Sequence, residues 1–141
     1  MRPQGTPVGR KLATTAKTVS TAFNAALAAE GGSIPTWLIL DSLRRGRSLT
    51  QRELAHTLGI EGPTVARHLG NLEQRGYVAR ERSGTDRRAI GVEITDQGEE
   101  AYQRMLRAVI AFNRALQQGL TPAELEQLDQ ILSRLAQNVA P

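Results

Sequence analysis

The chain has 141 residues, with 18 Lys and Arg against 14 Asp and Glu and a formal net charge of +4 at pH 7. This length fits one domain and is too short for a Rossmann pair or a full α/β barrel, and the basic excess favours a polyanionic partner. There is no cysteine and there are only two histidines, His56 and His68, which excludes disulfides, thiolate zinc sites and a peroxide-sensing thiol.

The N-terminal third predicts an arm and two helices. Residues 1–9 are rich in proline and glycine without periodicity, which indicates a flexible arm. From Lys11 apolar residues recur every three or four positions, the pattern of an amphipathic helix that ends at the glycine pair 31–32. A second helix opens at Ser33 and ends in the arginine-rich segment 44–47, where the helix dipole favours cations.

The next segment predicts two short helices joined by a tight turn. Thr50 and Glu53 have the spacing of a capping box at the start of the first helix. Gly59 ends that helix and permits the left-handed φ that reverses the chain. Pro63 suits the first turn of the second helix, which ends at Gly76. This arrangement predicts a helix-turn-helix.

The second of these helices, predicted over 62–75, has one apolar and one polar side. Its polar side carries donors and acceptors that can read base edges in a major groove or hold phosphates: Thr64, Arg67, His68 and Asn71. An ordinary helical hairpin with a polar outer face is the alternative that this spacing alone leaves open. His56, on the first helix, is expected at the surface or against a phosphate.

After the second helix the pattern changes to short alternating runs. Two β-rich runs flank a charged turn, which predicts an antiparallel hairpin over 77–94. Its arginines are Arg80, Arg82, Arg87 and Arg88. Asp86 stands two residues before Arg88, where its carboxylate can orient the guanidinium. A hairpin with an arginine-rich tip, directly after a helix-turn-helix, predicts a winged helix that inserts Arg87 and Arg88 into a minor groove.

The C-terminal third predicts two further helices. Thr95 has the position of an N-cap, and Thr121 with Glu124 forms a second capping box. The apolar stripes of the first and last helices exceed what a winged helix alone needs for its core, which predicts that they pair with a second copy of the chain.

The predicted fold is therefore mainly α with a small β-wing, an α+β fold in the order α-α-α-α-β-β-α-α. The winged helix-turn-helix core occupies 33–98. The N- and C-terminal dimerisation helices occupy 10–32 and 99–141.

The stretch 49–98 resembles the core of the MarR family of bacterial winged-helix transcription regulators. The D-x-R signature of the family's wing is present as Asp86-Arg87-Arg88, and its T-x-x-G helix start is present as Thr95 to Gly98. The flanking helices are similar to the family's in pattern only.

This resemblance implies a homodimer on double-stranded DNA, at a pseudo-palindromic operator and usually as a repressor. It also implies release by a small aromatic or phenolic anion. It assigns the groove-facing positions to Thr64, Arg67 and His68, and the wing arginine to Arg88.

Three residues are candidates for an effector site where the first, second and fifth helices meet the winged domain: Trp37, Arg44 and Tyr102. Packing of the two aromatic rings in the core, and a helix-end charge for Arg44, is the plainer interpretation.

The sequence lacks the motifs that other functional classes require. A phosphate-binding glycine loop, a nucleophile elbow and a zinc-protease motif are all missing, so no catalytic site, metal or cofactor is expected. No segment has the apolar length of a membrane span, and the N-terminus lacks a secretory pattern, so we expect a cytoplasmic protein. The alternative function is a winged helix that binds proteins, as an anti-repressor or scaffold, without specific DNA binding.

Overall fold

The computed structural model describes residues 7–46, 48–81 and 91–141. These ranges contain six helices and three short strands, which confirms the mainly helical winged-helix fold. The elements are α1 (Val8–Ala28), α2 (Ile34–Gly46), β1 (Ser48–Thr50), α3 (Gln51–Leu58), α4 (Gly62–Gln74), β2 (Val78–Glu81), β3 (Gly91–Ile94), α5 (Asp96–Leu116) and α6 (Pro122–Val139).

The strands form one antiparallel sheet in the order β1-β3-β2. Val78 pairs with Ile94 and Glu81 with Gly91, which is the predicted hairpin. Strand β1 was not predicted. It pairs along the other side of β3, with Thr50 opposite Gly91, and so ties the start of α3 to the base of the wing.

The start of α1 differs from the prediction. The helix begins at Val8, so Val8 and Gly9 are helical rather than part of an arm. The reason is that Pro7 adopts a φ of −54°, and its carbonyl accepts the Lys11 N–H at 3.0 Å, which starts the helical ladder early. Residues 1–6 of the predicted arm lie outside the described residues.

The helix-turn-helix is built by local chemistry, as predicted. The Thr50 Oγ1 accepts the Glu53 N–H at 3.0 Å, and the Glu53 carboxylate accepts the Thr50 N–H at 3.2 Å, which completes the capping box of α3. Gly59 has a φ of +63°. The following Ile60 N–H returns to the Ala55 carbonyl at 3.1 Å, which closes the end of α3 before α4 begins.

The buried core draws on α1 to α5 and the sheet. Its thirteen hydrophobic members are Leu27, Ile39, Leu40, Leu43, Leu54, Val65, Leu69, Leu72, Val78, Val92, Ala101, Tyr102 and Met105. Each fully buried leucine contributes about 1.5–3 kcal/mol of transfer free energy. The core therefore holds α4 by one side and leaves its other side to solvent.

The chain divides into two compact units, one up to Val109 and one from Ile110. The second unit holds the end of α5 and all of α6. The capping box of Thr121 and Glu124 is present at the start of α6. None of the residues of α6, all of which are described, is buried. None of the helices within the described ranges combines the length and the apolar content needed to cross a bilayer.

Candidate nucleic-acid interface

Helix α4 presents the predicted polar side chains on one face. Arg67 and Asn71 are exposed, and Thr64 and His68 are half-buried. These positions follow the i, i+3, i+4, i+7 spacing of one helix face, while the buried residues of α4 lie on the opposite side. The structure therefore brings the four predicted residues together on a surface that can approach a ligand as large as a duplex.

Both ends of α4 are fixed by neighbouring segments. At its start, the side-chain amide of Gln51 donates from Nε2 to the Gly62 carbonyl at 3.4 Å. At its end, Gly76 has a φ of +76°, and the Tyr77 N–H returns to the Leu72 carbonyl at 2.9 Å. This is a Schellman ending, which stops the helix and aims the chain into β2.

The T-x-x-G motif joins the end of α4 to the start of α5. The Thr95 hydroxyl donates to the Gly76 carbonyl and accepts the Gly98 N–H at 3.0 Å. A Cβ at Gly98 would lie 2.1 Å from the Tyr77 carbonyl oxygen, so only glycine permits this approach. The motif therefore packs the start of α5 closely against the end of α4.

Arg80, one of the arginines of the predicted hairpin, makes an ion pair within the fold. Its Nε lies 3.0 Å from a carboxylate oxygen of Glu73, and its side chain is only 28% exposed. The two residues are on β2 and α4, which pack against each other, so Arg80 joins β2 to α4.

The tip of the wing carries the remaining predicted contacts. Asp86, Arg87 and Arg88, together with Arg82, lie outside the described residues. Their roles in DNA binding stay predictions from the sequence.

Helix α3 adds a second exposed polar surface next to α4. Arg52 and His56 are exposed, and with Leu49, Glu53 and Thr57 they line a shallow recess. In a helix-turn-helix the first helix crosses the DNA backbone, so this surface is suited to phosphate contacts.

The three candidate effector residues form one cluster between α2 and α5. The rings of Trp37 and Tyr102 stack with centroids 4.9 Å apart and planes 5° from parallel. The Arg44 guanidinium lies 4.4 Å from the centroid of the Tyr102 ring. Two carboxylates that the sequence analysis missed complete the cluster. Tyr102 donates to Asp41 at 3.0 Å, and Arg44 lies 2.8 Å from Glu99.

The cluster favours the neutral phenol and the charged guanidinium. Burial raises the pKa of the Tyr102 hydroxyl, and its hydrogen bond to Asp41 acts in the same direction. The adjacent Tyr102 side chain and the nearby Glu99 carboxylate raise the pKa of Arg44. The same carboxylates could have been suspected from the sequence, because Asp41 stands one turn after Trp37 and Glu99 one turn before Tyr102.

The described residues do not suggest a metal centre. In 7–46, 48–81 and 91–141, no group of three or more His, Cys, Asp or Glu side chains is placed to hold a metal ion.

A helix-turn-helix followed by a β-hairpin, with a third strand on the hairpin's open side, defines a winged helix. A model described as "MarR family" matches residues 32–89. The solved structure of transcriptional regulator PA3341 is 33% identical, covers 94% of this chain and 98% of that chain, and superposes with a TM-score of 0.77. The chain belongs to the MarR family of transcription regulators.

Two more distant structures share the fold. A mutant MarR from E. coli, solved in complex with operator DNA, is 23% identical, covers 92% of this chain and 93% of that chain, and has a TM-score of 0.82. NadR, solved in complex with 4-hydroxyphenylacetate, is 23% identical, covers 96% of each chain and has a TM-score of 0.71.

Proposed function

We propose that the chain is a homodimeric, sequence-specific DNA-binding transcriptional regulator, a repressor at a pseudo-palindromic operator in the cytoplasm. The recognition helix 62–75 enters the major groove and the wing 77–94 the adjacent minor groove. The observation that carries the proposal is the polar face of α4. The opposite side of the helix is buried in the core, so this face is turned toward solvent. The proposal gives the chain no catalytic role.

The chemistry of that face suits base edges. Arg67 supplies a bidentate donor for guanine, and Asn71 a donor and acceptor pair for adenine. Within the described part of the chain, neither side chain makes a hydrogen bond or ion pair, so both are available to a ligand. A winged helix that binds proteins would present acidic or apolar side chains here, and these two residues oppose that alternative.

The proposed dimer rests on apolar surface that the chain itself leaves uncovered. On α6, Leu128 is 45% exposed, Ile131 50% and Leu132 41%, and on α1 Leu12 is 41% exposed. An apolar stripe of this kind most often buries against another subunit. A twofold axis would place the two recognition helices roughly 34 Å apart, one turn of DNA, so that each reads one half of an inverted repeat.

The proposed effector is a small aromatic or phenolic anion at the cluster of Trp37, Arg44 and Tyr102. An aromatic ring can stack on Trp37, and a carboxylate can pair with Arg44 in place of Glu99. The NadR relative, solved with 4-hydroxyphenylacetate, supports this ligand class.

Selection from a genomic fragment library, followed by gel retardation of the selected duplex and of a random duplex, tests the DNA proposal. We expect retardation of both at low salt, with tighter binding of the selected duplex and an inverted repeat in it. The logarithm of the affinity should fall linearly with that of the salt concentration. Absence of retardation at low salt would exclude DNA binding and favour the protein-interaction alternative.

A further inference from the structure

Arg75, the residue after α4, makes a contact with a distant segment of the same chain that the polar face of α4 does not explain. Its Nη2 donates to the Gly31 carbonyl at 2.6 Å and to the Tyr77 hydroxyl at 3.2 Å. Its guanidinium also lies 4.6 Å from the centroid of the Tyr77 ring. Gly31 is 44 residues away in the sequence, in the turn between α1 and α2.

That turn is itself held by hydrogen bonds to α1 and by packing against α5. Gly31 has a φ of +74°, and the Gly32 N–H returns to the Leu27 carbonyl at 2.9 Å, which is a Schellman ending for α1. A Cβ at Gly32 would lie 2.3 Å from the Met105 sulfur, so the turn packs directly on α5. Arg75 therefore binds a carbonyl whose position α1 and α5 already fix.

The same segment is held on its other side by α5. The Tyr77 carbonyl accepts the Thr95 N–H at 3.1 Å and lies against Gly98. The three residues 75–77 thus join the end of α4 to the end of α1 and the start of α5. Helices α1 and α5 belong to the proposed dimerisation region, whereas α4 belongs to the proposed DNA-reading surface.

We propose that Arg75 is a positioning residue that sets the angle of α4 relative to α1, and through it the separation of the two recognition helices in the dimer. This inference rests on the proposed function. Arginine suits the task because its two-hydrogen Nη2 donates to both oxygens while the planar guanidinium lies over the Tyr77 ring. Lysine has a shorter side chain and no planar face, so its ammonium cannot keep both hydrogen bonds and the ring contact in this geometry.

A positioning role for Arg75 and a phosphate contact predict different responses to substitution. Arg75 is exposed, so a simple electrostatic contact with DNA would tolerate lysine and would change the salt dependence of binding by about one unit of slope per contact. A positioning role requires the guanidinium itself and acts on the preferred spacing of the two half-sites.

The experiment compares full-length Arg75→Lys and Arg75→Gln with the parent on three duplexes. One is a duplex selected by the parent from a random library, and the others have their half-sites moved one base pair closer or farther apart, about 3.4 Å along the axis. Arg45→Gln is the matched control, since Arg45 is an 81% exposed arginine with one ion pair, to Asp41.

We expect both Arg75 variants to bind the selected duplex about tenfold more weakly, equivalent to about 1.4 kcal/mol. On the shifted duplexes the loss should be much smaller, so that the preference for spacing flattens, while the salt slope stays that of the parent. The melting temperature and circular dichroism of the variants should match the control, which excludes unfolding as the cause.

Two results would overturn the inference alone. In one, Arg75→Lys binds like the parent while Arg75→Gln weakens all three duplexes equally and lowers the salt slope. In the other, both variants keep the parent's affinity and spacing preference. If the parent retards no duplex at all, the proposed function fails first, and the inference with it.

Discussion

At the scale of single residues, the recognition helix and the wing should contribute differently to DNA binding. Arg67 faces outward from α4 with no described partner, so Arg67→Ala should remove about 1–3 kcal/mol of discrimination at one base pair and relax sequence preference there. Competition gel retardation with singly mutated selected duplexes measures this. An unchanged preference at every position would remove Arg67 from the reading surface.

Arg88 gives the complementary prediction from the sequence. If it lies in a minor groove, Arg88→Ala should weaken selected and random duplexes alike and lower the salt slope by about one. Titrations at several salt concentrations measure the slope. The proposed wing contact is wrong if the slope and both affinities remain those of the parent.

The raised pKa of the Tyr102 hydroxyl predicts that the free energy of unfolding falls at alkaline pH. Burial raises the pKa of its hydroxyl in the folded chain, so above the ordinary tyrosine pKa of about 10 the unfolded chain releases its proton first. The free energy of unfolding should therefore be maintained below the ordinary tyrosine pKa of about 10 and decrease as the pH rises through the higher pKa of the folded chain. Urea denaturation across this range should show a smaller decrease in Tyr102→Phe, and an equal decrease would contradict the prediction.

At the scale of elements, two glycines should respond in opposite ways to the same substitution. A Cβ at Gly98 would meet the Tyr77 carbonyl, so Gly98→Ala should destabilise the fold by about 3 kcal/mol. A Cβ at Gly70, inside α4, meets nothing within 4 Å, so Gly70→Ala should stabilise by about 0.5–1 kcal/mol. Chemical denaturation compares them. Equal effects would refute the close packing of α5 on the end of α4.

The elements that the sequence predicted well depend on neighbouring residues. Both capping boxes join residues three positions apart, and the turn at Gly59 needs only the absence of a Cβ, so local chemistry determines them. The polar face of α4 followed in the same way from helical spacing.

What the sequence could not reveal depends on distant partners. Strand β1 has three residues, too few to show alternation, and is a strand because β3 lies beside it. The ion pairs of Arg80 with Glu73 and of Arg44 with Glu99 cross between elements, as does the contact of Arg75 with Gly31. Their geometry emerges only when the elements pack.

At the scale of the whole molecule, the exposed apolar residues of α6 predict a dimer. The proposed binding to an inverted repeat depends on that dimer. Ile131 is 50% exposed, and Ile131→Arg should place a charge in the interface and shift the chain to a monomer. Affinity for the selected duplex should fall by about 100-fold or more, because the second half-site no longer binds as part of the same molecule. Light scattering and gel retardation measure both effects.

Ser133→Arg is the matched control, since Ser133 is exposed on the side of α6 away from Ile131. It should leave mass and affinity unchanged. A parent chain that is monomeric at micromolar concentration while binding the inverted repeat tightly would contradict the dimer.

The pairing of Glu81 with Gly91 bears on which changes of length the hairpin can accept. These two residues are opposed in the sheet and β3 is paired on both edges, so backbone pairs hold the chain on either side of residues 82–90. Grafting a longer or shorter 82–90 segment from another family member should therefore leave the thermal stability of the described sheet and helices intact while changing the reach toward a bound duplex.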